Sequence, residues 1–518
     1  MQEQSFLNKS RWECLPVVPF VKESCAPGER DIYSPPIAKK ITSRALAIGS
    51  MASNEEFQTS KTPLVKQLAH WVIDFDPGSI PEDVASHAKL LILDSIGCAL
   101  AAREEHAYRR ALRTFDALGG KPECAIIGSR RRMPVTNAVM LNGILIRELD
   151  LNDIYVGPGQ TGHPSDNIAV ALSVGERQRS SGRDVLAGVI LGYEIYCRIQ
   201  DLIVNRSLWD HVTASALAAP CIAGRLLELE VERLAHALAL SAAHGNTLAA
   251  VRSGQLSNAK TMANAFVAFQ ATLCSLLAAE GVTGPLAVLE GRGGLSQGLL
   301  AGADIVLLMA PLRDHFRISD VSIKAYPCIG TAQAMVAAVL EARTGITEPM
   351  KEVKQIEIRM ADIPFVRRQV EDEDRRRPTS RETEDHSFYY LAAVALLDGE
   401  LTPAQFADGR WLEPSVKTLM ERMTIRTDPS LSAYTPASYP CVLQFATENG
   451  SSRTVEVFYP KGHPRNRMSP ADVEAKFRGC ARSVLSEARQ TKIISLVLNL
   501  ETLPSVTELM SQLAVNET

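Results

Sequence analysis

The densest run of proton-moving groups in this sequence is Leu149-Asp150-Leu151-Asn152-Asp153-Ile154-Tyr155, followed by Gly162-His163-Pro164-Ser165-Asp166-Asn167. Asp150 and Asp153 fall where a segment of helical apolar period, 135–149, runs out. Carboxylates there face the negative end of a helix dipole, at a cost of roughly 0.3–1 kcal/mol each. The same field disfavours ionisation, so it predicts carboxyl pKa values raised towards an acid/base range. Ser165 is placed to cap the next helix, with Asp166 in its first turn. His163 then stands beside a helix N-terminus, whose N–H groups attract anions. The alternative is a loop of ordinary capping residues.

Other candidates are scattered. His211 opens an apolar helix, and Lys260 starts an alanine-rich one. Lys324, in Ile323-Lys324-Ala325-Tyr326-Pro327, falls where one kind of sequence pattern gives way to another, and domain junctions favour pockets. Tyr390 lies on the apolar helix that follows His386-Ser387. Each has a structural alternative: a satisfied histidine, a lysine that snorkels to solvent, a core tyrosine. The sequence contains no HExxH and no HxH, and none of its 10 cysteines forms a CxxC pair. Gly291-Arg292-Gly293-Gly294 has no strand before it and reads as a turn, and no P-loop occurs. No metal and no cofactor are expected.

These residues need elements to hold them. Ser79-Ile80-Pro81-Glu82-Asp83 predicts a Ser-capped helix running to about Ala102. Helical period recurs near 135–149, 166–178, 183–201, 211–227, 231–245, 260–280 and 295–309. From about Ser319 the character changes. Alternation at 353–360, 441–445 and 454–459 predicts strands, with a helix at 387–397 and a charged, solvated loop at 371–385. Helical period returns at the Ser-capped start Ser469-Pro470-Ala471-Asp472 and runs to about Leu513. The expected fold class is mainly α: an all-helical body with an inserted smaller α+β lid domain. Its parts are a disordered leader (1–60), a helical domain (61–319), the lid (320–465) and the rest of the helical domain (466–518).

The chain has 518 residues and a net charge of −4, which gives nucleic acid no basic surface. Thr261–Ala279 is uncharged but contains Asn264, Gln270 and Ser275, so a buried helix is expected there and not a membrane span. The leader carries Glu3, Glu13, Glu23, Glu29 and Asp31, unlike an import presequence. A cytoplasmic location is expected, with a mitochondrial one as the alternative.

Five landmarks in order resemble the MmgE/PrpD family of tricarboxylate dehydratases and decarboxylases. They are Leu93-Asp94-Ser95-Ile96-Gly97, the 149–167 segment, Ile323-Lys324-Ala325-Tyr326-Pro327, Arg377-Pro378-Thr379-Ser380-Arg381 with Asp385-His386-Ser387-Phe388-Tyr389-Tyr390, and Pro460-Lys461-Gly462. The resemblance implies a homodimer, a metal-free cleft between body and lid, and a small tricarboxylic acid as substrate. By position it implies pocket roles for Asp150, His163, His211, Lys260, Lys324 and Tyr390, the lysines as substrate-binding and the others as catalytic. The helix start after Ser165 is expected to bind a further substrate carboxylate. Gly162-His163-Pro164-Ser165-Asp166-Asn167 is more similar to the methylcitrate dehydratases than to the decarboxylases. Ile154 and Ile329 stand where the family has polar residues, which predicts a more apolar pocket and a longer alkyl arm. The implied reaction is dehydration of a 2-alkylcitrate in a secondary-metabolite pathway. A cis-aconitate-type decarboxylase and a non-catalytic dimeric paralogue are the alternatives.

Overall fold

The computed structural model of the protein describes residues 62–203, 208–300, 303–312, 315–406 and 409–515, and the expected leader lies outside them. Helices come first: α1 (Leu64–Ile73), α2 (Glu82–Ala101), α3 (His106–Leu118) and α4 (Val135–Arg147). After the short hairpins β1 (Cys124–Ala125)/β2 (Arg132–Met133) and β3 (Tyr155–Val156)/β4 (Thr161–Gly162) come α5 (Ile168–Gln178) and α6 (Gly182–Leu202). Then follow α7 (Ser215–Leu226), α8 (Val231–His244) and α9 (Ala259–Ala279). The fold is mainly α.

Alanine and leucine let these helices pack closely. Nearly every side chain of α2 from Ala88 onward is buried, as expected of a helix apolar all round. By length and composition α2 and α9 could each cross a membrane, but both are built into the packing of this body. Ser79 does not cap α2. Its hydroxyl donates to the Asp76 carbonyl, because Asp76 closes a separate turn over Pro77–Ser79, and Pro81 holds the cap position. Among the described residues, the segment 295–309 expected as one helix forms single turns at Leu295–Gly298 and Ile305–Met309.

Beyond Lys324 a second core begins. Helices α10 (Gln333–Ala342), α11 (Pro364–Glu371), α12 (Phe388–Asp398) and α13 (Pro414–Glu421) accompany a four-stranded sheet. Its strands are β5 (Val353–Ala361), β6 (Met423–Asp428), β7 (Cys441–Thr447) and β8 (Ser452–Val457), in the order β6-β5-β7-β8. β5 pairs parallel with β6, so the chain between them crosses over through α11, α12 and α13. β7 is antiparallel to both β5 and β8. Ile356, Ile358 and Met360 alternate onto the face that joins Met335, Val339, Leu391 and Val394 in the second hydrophobic cluster.

The chain then returns to the first core through α14 (Pro470–Ala481), α15 (Glu487–Leu498) and α16 (Thr507–Gln512). Ser469 and Asp472 form a reciprocal capping box at the start of α14, as the sequence predicts. Ile154 and Ser322 exchange backbone hydrogen bonds of 2.9 and 2.8 Å, and Ile323 donates to the Gly462 carbonyl at 3.1 Å. Gly462 has φ +91°, and a Cβ there would stand 1.8 Å from the Ile323 oxygen, so the Pro-Lys-Gly turn admits only glycine. Half-buried Lys476 of α14 pairs with buried Asp94 of α2 and donates to the Leu151 carbonyl at 2.9 Å.

Candidate active site

The site is built on the segment that leaves α4. After Arg147 the helix ends, and Asp150 takes the left-handed conformation, φ 49°, which an Asp tolerates better than most residues. The turn drives its carboxylate inward. There Oδ1 accepts from Arg147 Nη1 at 2.7 Å and from Lys324 Nζ, which also donates to the Asp150 carbonyl at 2.8 Å. Oδ2 lies 3.3 Å from Lys260 Nζ and 3.7 Å from His386 Nε2. Lys260 is also 3.1 Å from Asp385, which pairs with Arg381 at 3.1 Å and with His386 Nδ1. Asp166 lies 3.8 Å from Arg147.

Four cations therefore face three carboxylates, all deeply buried except the partly buried Arg381. Burial pushes the Asp150 carboxyl up, but Arg147, Lys260, Lys324 and His386 outweigh it and hold the group well below the usual range. Asp385 is depressed in the same way, by Lys260 and His386 against its burial. Burial lowers Lys324, with Asp150 opposing and Arg147 adding to the shift. At Asp150 direct ion pairs at about 3 Å exceed the helix-end field, so its carboxyl is lowered and not raised as expected. Its neighbours Asp153 and Asp166 are raised instead, Asp166 to about 6 by burial against the opposing Arg147. Burial takes Asp153 to about 7, although the Ser165 hydroxyl donates to it at 2.6 Å.

The histidines stand beside this cluster. His163 and His211 meet edge to face, with ring centroids 5.3 Å apart. Nδ1 of His163 lies 2.6 Å from the Asp153 carbonyl, which can only accept, so Nδ1 carries the proton and Nε2 is left basic. Burial, with Arg147 and Lys324 adding to it, holds the His163 pKa well below that of a free imidazole. Burial lowers His211 to about 3, against the opposing Asp210. Asp210 caps the turn that carries His211 and is held by Arg252 at 2.6 Å. Both imidazoles are neutral at neutral pH.

Two of the expected residues are placed otherwise. Ser165 is no helix cap, because its hydroxyl and amide are committed to Asp153 and His163 holds the cap position of the Pro164–Asn167 turn. Tyr390 lies in the second core, where its hydroxyl donates to the Gln405 carbonyl and its ring meets Phe406. Asp150, His163, His211, Lys260 and Lys324 do come together. Arg147, Tyr196, Arg381, Asp385 and His386 were not among the candidates. Asp385 and His386 lie at the edge of the charged stretch expected to be solvated, but Arg375, Glu382, Glu384 and Asp385 are buried there.

A cleft next to Lys324 is lined by Ile154, Gln333, Tyr439, Lys461 and His463. Ile154 presses on Gly330, where a Cβ would stand 2.0 Å from its Cδ1. Ile329 belongs to the second core, so the expected pair of pocket isoleucines reduces to one. The donor atoms of Asp150, Asp385 and His386 lie within 4.8 Å of one another, a spacing that could take a metal ion. The Lys260 ammonium already sits 3.3 and 3.1 Å from the two carboxylates, so a divalent ion would have to displace it.

Comparison with known proteins fits this geometry. Models of the MmgE/PrpD N-terminal and C-terminal domains match residues 66–308 and 326–502. The cis-aconitate decarboxylase-like protein oryM of Aspergillus oryzae is 24% identical over 484 residues, covering 88% of this chain and 98% of its own. A cis-aconitate decarboxylase of Aspergillus terreus is 26% identical over 497 residues, covering 89% and 98%. The 2-methylcitrate dehydratase of Cupriavidus necator is 26% identical over 457 residues, covering 83% and 92%. With both domain models matched in order, this chain belongs to the MmgE/PrpD family.

Proposed function

We propose that this chain is a hydro-lyase that removes water from a 2-alkylcitrate, 2-methylcitrate or a longer homologue, to give the alkyl-cis-aconitate. The observation that carries the reading is the pair of neutral imidazoles beside a buried cluster with more cations than carboxylates. Dehydration begins by removing a weakly acidic proton α to a carboxylate, which needs an unprotonated base and nearby positive charge. His163 Nε2 is that base. Lys324, at the edge of the cleft, and Lys260 and Arg147 behind it neutralise substrate carboxylates. The carbon–hydrogen pair becomes the double bond as hydroxide leaves the tertiary carbon, and the abstracted proton and the hydroxide together make one water.

A decarboxylase is the second reading, favoured by near-full-length relatives named cis-aconitate decarboxylase. It must protonate a carbanion, which suits an imidazolium better than imidazoles held neutral. Citrate, 2-methylcitrate, longer alkylcitrates and cis-aconitate, each assayed for conjugated alkene and for carbon dioxide, decide between them. Alkene without carbon dioxide supports dehydration, carbon dioxide from cis-aconitate supports the alternative, and no turnover of any of them supports a non-catalytic paralogue.

The reading includes a homodimer. Phe266, Leu273 and Leu277 lie on one face of α9 and are 56, 41 and 40% exposed, an apolar stripe suited to a second copy. Sedimentation of the protein at micromolar concentration tests it.

A further inference from the structure

The hydroxyl of Tyr196 touches both histidine positions. It accepts from the His163 backbone N–H at 3.2 Å and lies 3.0 Å from Nδ1 of His211. Tyr196 is fully buried on α6, and Gln200, one turn on, donates to the His211 carbonyl at 2.7 Å. Gly162 makes the approach feasible, since a Cβ there would stand 2.5 Å from the Tyr196 oxygen. The hydroxyl has one proton to give. The His211 carbonyl is 3.5 Å away and already served by Gln200, so the proton goes to Nδ1. A neutral His211 that accepts at Nδ1 carries its own proton on Nε2.

We infer that Tyr196 is a positioning residue that fixes His211 as an Nε2–H donor, the tautomer opposite to that of His163, whose Nδ1 proton is held by the Asp153 carbonyl and whose Nε2 is basic. The inference rests on the dehydratase reading for its use: His163 takes the proton, and His211 holds a hydrogen bond to the departing oxygen without losing its own. The tautomers themselves do not depend on turnover. Nε2 of His211 is 3.8 Å from the Asp210 carboxylate, too far for a hydrogen bond that would compete for that proton.

The test is long-range proton–nitrogen NMR of the full protein labelled with ¹⁵N-histidine, with signals assigned through His163→Gln and His211→Gln. The expected result at pH 7 is protonation of His163 on Nδ1 and of His211 on Nε2. Finding His211 protonated on Nδ1, or His163 on Nε2, overturns the inference whatever the variants do. In Tyr196→Phe the His211 Nδ1 resonance should move to that of an unbonded ring nitrogen, with His163 unchanged. Turnover should fall about 10–100-fold at nearly constant KM, the size associated with losing a histidine's orienting partner. An unmoved His211 signal in a folded Tyr196→Phe protein also overturns it. Expected tautomers without turnover of any tricarboxylate would remove the dehydratase reading and leave the tautomer assignment standing.

Discussion

Lys260 Nζ stands 3.3 Å from Oδ2 of Asp150, a buried contact between residues 110 positions apart. Asp150 also serves Arg147 and Lys324, so it is the common counter-ion of three cations. Asp150→Asn should therefore cost about 3–5 kcal/mol, the range for stranding buried charge. Lys260→Met should cost less, because Asp150 keeps two cations and Asp385 keeps Arg381. Denaturant midpoints of the two variants measure the order, and a more stable Asp150→Asn protein would contradict it.

His163→Gln should lower turnover by roughly 10²–10⁴-fold, as for a positioned acid/base group. The fold should persist, since the ring lies at the end of a loop and makes one bond, to the Asp153 carbonyl. Near-normal turnover in the variant would return the residue to a packing role.

Burial lowers His211 from 6.5 to about 3. Between those values the unfolded chain holds a proton there that the folded chain does not. Its contribution to stability is full above about 6.5 and is lost as pH falls towards 3, by up to about 1.4 kcal/mol per pH unit. His211→Gln should lose less stability than the parent between pH 7 and pH 5. Asp153 has the opposite sign: raised to about 7, it costs stability as pH rises towards that value, so Asp153→Asn should gain on the parent from pH 5 to pH 8. Unfolding curves at these pH values read both effects.

Activity should survive exhaustive chelation, because Lys260 already meets the carboxylates that a metal would use. Loss of turnover in EDTA, restored by one divalent ion, would falsify the metal-free reading.

Ile154 lines the cleft beside Lys324. Each methylene of substrate buried against it should gain about 0.8 kcal/mol, nearly fourfold in affinity. We therefore expect kcat/KM to rise from citrate through 2-methylcitrate to longer alkylcitrates, and Ile154→Thr to flatten the series. Rejection of the longer homologues would make Ile154 an ordinary packing residue.

The helical body was legible because its signals are local. Apolar period placed α4, α6, α8 and α9 within about two residues of their ends, and Ser469 announced α14. Strands β5, β7 and β8 showed as alternation, whereas β6 (Met-Thr-Ile-Arg-Thr-Asp) alternates too briefly to stand out from its surroundings. Chemistry was harder to read. Arg147 looks like a favourable cation at a helix C-terminus, and only the left-handed turn at Asp150 converts it into part of a buried network. Asp385 was hidden in a charged stretch, where sequence cannot show that the charges point at one another. Tyr390 has the composition of a core residue, and packing decided for the core.

The Lys476 bond to the Leu151 carbonyl ties the turn that carries Asp150 to a residue made 325 positions later. A ribosome that has released residues 1–469 has delivered every acid, base and cation named in the site, yet not the strut that fixes the turn between them. Assembly of the site is therefore a late event in synthesis, and contacts this distant in sequence form slowly. Chains stopped before Pro470 should carry the reacting groups and the cations that hold Asp150 but lack the Lys476 support of the Leu151 carbonyl, and so should be less active even where the remaining helices form.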